Sequence, residues 1–155
     1  MANVLGLNGK AYRNTNTGSD ANATPYWDLM DNITDVTLNL SKETADVTVR
    51  GGSGYTLRVA TLKDFTVSFQ MIYDTTNTDY TTLEDAFLND TVLQYAFCDG
   101  EIATTGTQGF KAFCYVTNFS RSEALRDAFR VDVELSAAYY TESGSIVPPT
   151  DFTIA

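Results

Sequence analysis

Long stretches of the chain alternate apolar and polar side chains with a period of two. The clearest example is residues 60–73, ATLKDFTVSFQMIY, in which every second residue from Phe65 to Tyr73 is apolar. The same pattern returns in residues 127–137 and, more briefly, in residues 35–41. Because successive side chains of a β-strand point to opposite faces of a sheet, this period predicts strands with one buried and one solvated face. The chain is therefore predicted to be mainly β.

Two shorter segments add to this pattern. Residues 92–98 are apolar at most positions and predict a strand that is buried on both faces, and residues 110–119 predict a further strand. Between the strands, residues 78–89 repeat apolar side chains at helical spacing and predict one short helix, capped by Asp79 or by Thr81. The apolar stripe of this helix, which is expected to pack on the sheet, consists of Tyr80, Leu83 and Phe87.

The alternating pattern is interrupted between the strands at 35–41 and 60–73. We predict that residues 42–59 form an extended hairpin arm with a glycine-rich bend, and that this arm packs on a neighbouring molecule. Asp46 and Arg50 are the candidate ion-pair residues of the arm. Its glycines lack the GxxxxGK[ST] spacing of a phosphate-binding loop. The glycines expected at the bend are Gly51, Gly52 and Gly54.

Both ends of the chain have a weaker pattern. We predict a single domain, residues 1–155, with an extended N-terminal arm over 1–23 and an extended C-terminal arm over 140–155. Residues 4–12 are a candidate strand, and Pro148 and the proline after it cannot continue a sheet ladder. Apolar residues scattered through both ends suit docking on another surface, so we expect the termini to lock neighbouring subunits together.

Composition narrows the range of functions. The 155 residues carry a formal charge of −10 with a pI near 4.2, which argues against a grip on nucleic-acid phosphates. The chain has no histidine, and therefore lacks the commonest general base and metal ligand. Cys98 and Cys114, the only cysteines, lie in apolar strand patterns and are expected to act as small buried side chains. No catalytic motif, cofactor site or metal site is predicted, and no apolar run approaches the roughly 18 residues of a membrane span.

Several motifs, taken in order, resemble those of the tail tube (major tail) proteins of long-tailed bacteriophages. Each motif is short, but all occur in the same order, and the likeness covers residues 24–138. In this chain the motifs are DVTLNL at 35–40, ADVTVR at 45–50, ATLKD at 60–64, DAFL at 85–88 and VTNFSRSE at 116–123.

The resemblance implies a β-sandwich that closes toward a barrel and is flanked by one short helix. It also implies homo-hexameric rings that stack into a hollow tube, enclosing a tape-measure protein and later conducting DNA without specific binding. The implied partners are the chain itself, the tape-measure protein, and the tail terminator and distal tail proteins. The implied location is the tail tube of the virion, after synthesis in the host cytoplasm, with no membrane, cofactor or enzymatic activity.

The polar faces of the long strands are the candidate lining of the channel. We expect the strands at 35–41, 63–73, 110–119 and 127–137 to form the sheet around the lumen. A tube protein of a tailocin, gene transfer agent or secretion system remains open as an alternative. A carbohydrate-binding β-sandwich that uses Trp27 and the tyrosines as stacking platforms is an alternative from another class. The candidate lumen-facing residues are Thr37, Asn39, Ser68, Gln70, Asp132 and Glu134.

Overall fold

The computed structural model describes residues 5–155. These residues form ten strands and one α-helix, α1, at Thr78–Leu88. The strands are β1 Lys10–Asn14, β2 Trp27–Leu29, β3 Ile33–Asp46, β4 Arg58–Ile72, β5 Leu93–Cys98, β6 Gln108–Ser122, β7 Arg130–Ala137, β8 Thr141–Glu142, β9 Ser145–Ile146 and β10 Thr150–Thr153.

Eight strands form one antiparallel sheet in the order β2-β1-β5-β6-β7-β4-β3, with β10 also paired to β6. The first part of β6 pairs with β5 and β10, and its second part pairs with β7. The sheet folds over along β6, since Phe110 near its start stacks on Phe65 of β4 with ring centroids 5.4 Å apart. The predicted mainly β class, with a sandwich flanked by one short helix, is confirmed.

One apolar core lies between the two halves of the folded sheet. It receives the alternating side chains of β4, the same ones that dominate the sequence pattern, and those of β5 and β7. The core members with no more than 2% exposure include Val67, Met71, Leu83, Tyr95, Cys114, Val131, Val133 and Leu135. Burial of such side chains supplies most of the driving force for this fold.

The helix begins and ends close to the predicted positions, but its cap differs. The side chain of Asn77 accepts a hydrogen bond from the Asp79 backbone N–H at 2.7 Å, so Asn77 is the N-cap and the prediction of Asp79 or Thr81 is wrong. Leu83 is fully buried under the helix, whereas Phe87 is 39% exposed. The predicted apolar stripe is therefore buried only at its centre, with Tyr80 half-buried before Leu83 and Phe87 exposed after it.

A buried ion pair attaches the helix to β1. Nε and Nη2 of Arg13 donate to Oδ1 of Asp79 at 3.2 and 3.1 Å, and both residues are buried. Burial raises the pKa of Asp79, and the hydrogen bond and charge of Arg13 oppose that rise. Loss of either partner would leave the other charge buried without compensation, so the pair fixes the position of α1.

The polar loop after β1 is organised by a second buried group, the side-chain amide of Asn14. Its Nδ2 donates to the Ala21 carbonyl at 2.7 Å and to Oε1 of Gln94 at 2.8 Å. Its Oδ1 accepts from the backbone N–H groups of Asn16 and Tyr26, each at 2.9 Å. A fully hydrogen-bonded buried amide specifies one loop conformation, which explains why this polar segment is ordered.

The C-terminal segment differs from the prediction of an extended tail over 140–155. β8 and β9 form a short hairpin, and β10 pairs with residues 108–111 of β6. Pro148 and Pro149 lie before β10 and are not required to donate to the ladder. The segment returns to the sheet of its own chain, so the expectation that it docks on a neighbour does not hold for Thr150–Thr153.

The N-terminal segment also differs from the predicted arm over 1–23. β1 lies between β2 and β5 in the interior of the sheet, so Lys10–Asn14 belongs to the fold itself. A 3₁₀ turn at Gly6–Asn8 precedes it, and the candidate strand at 4–12 therefore begins later than expected. The part of that prediction at Val4, and the expectation for residues 1–4 as a docking segment, lie outside the described residues.

Both cysteines are buried and neither forms a disulfide. Burial raises the pKa of Cys98 to about 11 and that of Cys114 to about 12. Because the thiolate is the reactive form, both side chains are inert at neutral pH. This agrees with their predicted use as small buried side chains.

Candidate assembly surfaces

The six residues predicted to line a channel lie on a single face of the sheet. Residues directly opposite one another on neighbouring strands share a face. Thr37 on β3 lies opposite Ser68 on β4, which lies opposite Glu134 on β7. Gln70 and Asp132 form the adjacent row. The structure thus brings together Thr37, Asn39, Ser68, Gln70, Asp132 and Glu134 on one polar surface, which we call the polar face.

Side-chain hydrogen bonds connect the strands across this polar face. Nη1 of Arg130 donates to Oε1 of Gln70 at 3.2 Å, and Nε2 of Gln70 donates to Oδ1 of Asp132 at 3.0 Å. Nε of Arg130 also pairs with the Asp127 carboxylate at 3.2 Å. The carboxylates of Asp132 and Glu134 are exposed. The polar face therefore presents hydroxyl, amide and acidic groups to whatever lies in front of it.

The four strands that carry the polar face have two free edges. β3 is the last strand of the sheet, and among the described residues its outer edge has no partner. On the other side, β6 pairs with β5 only as far as Cys114, so residues 115–122 of β6 have β7 on one side and no strand of the described chain on the other. Unpaired strand edges are templates for the addition of another strand.

The opposite face of β3 is apolar and exposed. Val36, Leu38 and Leu40 occupy the positions expected to be buried, yet β3 contains no buried residue and Leu40 is 61% exposed. These side chains lie at the mouth of the sandwich, where the second half of the sheet does not reach. A groove of about 1110 Å³ opens there, and Phe97 and Phe110 contribute to its wall.

β3 and β4 continue beyond the body of the sheet as a two-stranded hairpin, residues 41–64, which we call the projecting hairpin. The last recorded pairing of β4 with β7 is at Thr66, whereas β4 pairs with β3 as far as Arg58. The two strands run on alone for roughly 20 Å. A two-stranded hairpin by itself is marginally stable in water, so this element needs a further surface to pack on.

The tip of the projecting hairpin contains the residues predicted to contact a neighbour. Hydrogen bonds from Thr48 to the Asp46 carboxylate lower the pKa of Asp46. Arg50 begins the exposed 3₁₀ turn Arg50–Gly52 and forms no ion pair with any residue that the structure describes. Gly54 has φ of +85°, a conformation that favours glycine. The predicted pairing of Asp46 and Arg50 with another subunit stays a prediction.

An apolar patch on the projecting hairpin was missed by the sequence reasoning. Ala45 lies opposite Val59, and the Val47 N–H donates to the Leu57 carbonyl, so these four residues share a face. The segment predicted as irregular, residues 42–59, therefore contains paired strand at its two ends, 42–46 and 58–59, and residues 47–57 connect them. A bulge between Lys42 and Thr44 breaks the period of two and conceals the pattern.

The helix C-terminus forms another exposed apolar surface, beside the free edge of β6. The Phe87 ring stacks on Phe119 of β6 at a centroid distance of 6.4 Å, and Leu88 is 66% exposed.

Within the described residues, no group of three or more His, Cys, Asp or Glu side chains is placed to hold a metal ion. No helix within residues 5–155 has the length and apolarity needed to cross a bilayer.

No protein-family model matches the sequence, and no curated protein matches it either. Solved structures do match. A chain of the SPP1 tail tube is 10% identical with a TM-score of 0.73, over 99% of this chain and 81% of that chain. A chain from the tail of an empty gene transfer agent particle, refined with C6 symmetry, is 11% identical with a TM-score of 0.67, over 93% and 97% of the two chains.

A third match is a chain of an extracellular contractile injection system, in its extended sheath–tube complex. It is 8% identical with a TM-score of 0.63, over 98% of this chain and 93% of that chain. The likeness in each case spans nearly all of this chain, including the folded sheet, the helix and the projecting hairpin. The chain therefore has the fold of tail tube proteins.

Proposed function

We propose that this chain is the structural subunit of a tail tube. Copies join side by side into rings, and the rings stack into a hollow tube that encloses a tape-measure protein and conducts DNA during ejection. The observation that carries this proposal is a sheet of four long strands with one polar face and two free edges. The mature location is the virion tail, after synthesis in the host cytoplasm, and the role is not catalytic.

The strand directions at the two free edges allow one copy to pair with the next. Neighbouring strands in the series β6-β7-β4-β3 are antiparallel, so β6 runs opposite to β3. Joining β6 of one copy to β3 of the next therefore keeps the whole wall antiparallel. Each joint uses two different surfaces, and such a head-to-tail contact generates a ring when the rotation closes.

Six copies are the number we adopt, because the similar gene transfer agent tail has C6 symmetry. Four strands from each copy then make a wall of about 24 strands. At about 4.8 Å per strand the wall has a circumference of roughly 115 Å and a backbone diameter of roughly 37 Å. Tilting of the strands widens it further.

The polar face lines the lumen in this arrangement. Asp132 and Glu134 then present negative charge to the passing DNA, which denies it the counterion-releasing contacts made by Lys and Arg. The lining therefore holds a polyanion only weakly and does not recognise its base sequence. A tube reconstruction with Asp132 and Glu134 on the outer surface would overturn this assignment.

The projecting hairpin docks on another subunit. Residues 41–64 carry four basic and three acidic residues, whereas the rest of the chain carries six basic and seventeen acidic residues, so the hairpin is weakly positive and the body is strongly negative. Lys42 and Lys63 lie directly opposite each other, an arrangement that is unfavourable unless an acidic partner covers them. Asp46 and Arg50 add ion pairs worth about 0–1 kcal/mol each when exposed.

Electron microscopy of the purified chain tests the proposal. We expect rings or tubes, and deletion of residues 51–54 should leave a folded monomer that no longer polymerises. Normal tubes from the deletion variant would show that the hairpin is not an assembly element. A wild-type chain that stays monomeric at every concentration and ionic strength would contradict the tube function itself.

Further partners follow from the proposed role: a tape-measure protein in the lumen, and terminator and distal tail proteins at the two ends. The same subunit suits a tube of a gene transfer agent or contractile injection system, since chains from both have this fold. The carbohydrate-binding alternative is not favoured. Trp27, its main platform, is half-buried against the cluster of Tyr12, Ala96 and Cys98.

A further inference from the structure

The two sides of the sandwich have complementary shapes. On the side of β6, α1 closes the gap beside the second half of the strand, and its C-terminal end exposes Phe87 and Leu88. On the side of β3 no element within residues 5–155 closes the gap, and the groove of about 1110 Å³ exposes Val36 and Leu38. One side therefore carries an apolar protrusion, and the other carries an apolar recess.

We propose that the C-terminal end of α1 in one subunit seats on the exposed apolar side of β3 in the next copy. This inference rests on the proposed side-by-side joining and names the second half of that joint. The partner is another copy of this chain, and the contact residues are Phe87 and Leu88 on one copy and Val36, Leu38 and Leu40 on the other.

Continuity of the sheet places these surfaces together. Phe119 of β6 lies opposite Val133 of β7, which lies opposite Phe69 of β4, and Phe69 lies opposite Val36 of β3. These four side chains therefore share the apolar face. When β6 of one copy lies beside β3 of the next, this apolar face continues across the joint. The side chain that stacks on Phe119 at the edge is Phe87, so the helix end overhangs the neighbouring β3.

Charged side chains near the two free edges also favour this joint. Arg121, Val131, Met71 and Ile33 form one row across the four strands, so the end of β6 and the start of β3 lie at the same end of the sheet. Arg121 and Arg126 are exposed near the end of β6, whereas Asp31 and Asp35 are exposed near the start of β3. A level joint brings Arg126, and Arg121 with its own partner Glu123, to the two aspartates of the next copy, and this charge complementarity favours the pairing over an unrelated occupant.

Chemical cross-linking tests the contact. Leu88→Cys and Leu38→Cys are made as separate proteins, mixed, assembled and treated with a short bismaleimide. The native thiols of Cys98 and Cys114 are buried and do not compete. We expect covalent dimers only in the assembled mixture. Each variant assembled alone should give none, because a head-to-tail joint never brings two copies of Leu88 together.

A matched control and a double variant sharpen the result. Ile146→Cys, at a site that is 60% exposed and outside the main sheet, should not link to Leu38→Cys. A single chain carrying both Leu38→Cys and Leu88→Cys should give a ladder that ends at the size of the ring. Tubes without any Leu38–Leu88 link would overturn this contact while leaving the tube function intact. Absence of rings and tubes in the wild type would instead remove the proposed function.

A charge substitution supplies an independent readout. Leu88→Glu should lower ring formation at least tenfold at equal concentration, because it places a carboxylate in an apolar joint, while the melting of the monomer stays unchanged. Ile146→Glu is the control of similar exposure and should assemble normally. Wild-type assembly by Leu88→Glu would contradict the proposal, as would rings lost equally in both variants.

Discussion

β5 and β3 are strands of the same sheet with opposite surroundings. All six residues of β5 are buried, and none of the 14 residues of β3 is. β5 lies between β1 and β6, under the other half of the sandwich, whereas β3 lies at the edge beside the open groove. The difference shows that one side of this molecule is completed within a single chain. The other side has the sequence of a buried strand, but none of residues 5–155 covers it.

Most polar side chains follow the same division, the exception being the Tyr95 hydroxyl of β5, which is buried without a hydrogen-bond partner among the described residues. Near β5, the side chains of Gln94, Asn14 and Arg13 are buried, and each has hydrogen-bond partners in its own chain. Along β3, the outer N–H and C=O groups of a long strand have no partner among the described residues. A monomer in water hydrates that edge at little cost, but the edge is also free to pair with another chain. We therefore expect substitutions near β5 to affect folding and substitutions on β3 to affect assembly.

The largest expected effect is a loss of assembly from β3. Leu40→Glu places a carboxylate on the apolar side of the free edge and should abolish rings and tubes. Leu40 is 61% exposed, so the free energy of unfolding of the monomer should change by no more than about 0.5 kcal/mol. Electron microscopy and chemical denaturation measure the two quantities separately. A monomer unfolded by this substitution would show that β3 already belongs to the core.

The largest effect on folding is expected from the buried ion pair. Arg13→Ala leaves Asp79 buried without its partner and should reduce the free energy of unfolding by about 3–5 kcal/mol. Urea denaturation of the monomer measures the loss. Glu123→Ala, which removes an exposed pair with Arg121, is the control and should cost about 0–1 kcal/mol. Equal losses in the two variants would contradict the importance of burial.

Two positions on the helix should show the same contrast between an effect on folding and an effect on assembly, with smaller magnitudes. Leu83→Ala removes a fully buried side chain and should cost about 2–5 kcal/mol. Full burial of Phe87 would make Phe87→Ala cost about 3–5 kcal/mol. Because Phe87 is 39% exposed, the loss should instead be less than about 3 kcal/mol, with a larger effect on ring formation. Normal rings with a cost as large as that of Leu83→Ala would place Phe87 in the core alone.

The smallest effect concerns pH. Burial raises the pKa of Asp79 above its ordinary value of 3.8, so the folded chain holds this proton more tightly than the unfolded chain. The contribution of this group to stability is present below pH 3.8 and is lost as pH rises through the folded pKa. Asp79→Asn should remove this decrease, leaving a steeper rise in stability with pH just above 3.8. An unchanged slope in denaturation curves would refute the raised pKa.

The alternating pattern was sufficient for the main features of the fold and for placing the six candidate lumen residues on one face of the sheet. Ser68 and Gln70 share a face with Asp132 and Glu134 because a register shifted by one residue would expose Val67 and its neighbours. The same reasoning failed where a local feature interrupts the period. The bulge after Lys42 concealed two strand segments, and Asn77 took the cap that Asp79 was expected to supply.

The sequence failed to predict the short strand β10 for a different reason. Thr150–Thr153 is too short for its alternation to be informative, and its position depends on the part of β6 that extends past β7. Only the folded sheet creates that vacant edge. Likewise, Arg13 and Asp79 are separated by 66 residues, and nothing in their sequence surroundings indicates that they meet.

The sequence by itself determined the long strands, the helix and the division of each long strand into an apolar and a polar face, because side-chain periodicity is a local property of the backbone. The tertiary structure alone decided which apolar faces are covered. Val36, Leu38 and Leu40 have the same alternation as Phe65, Val67 and Phe69, yet the first three are exposed and the last three are buried. Whether an apolar face is covered depends on how far the opposite half of the sandwich extends. The spacing of residues along one strand does not determine that distance.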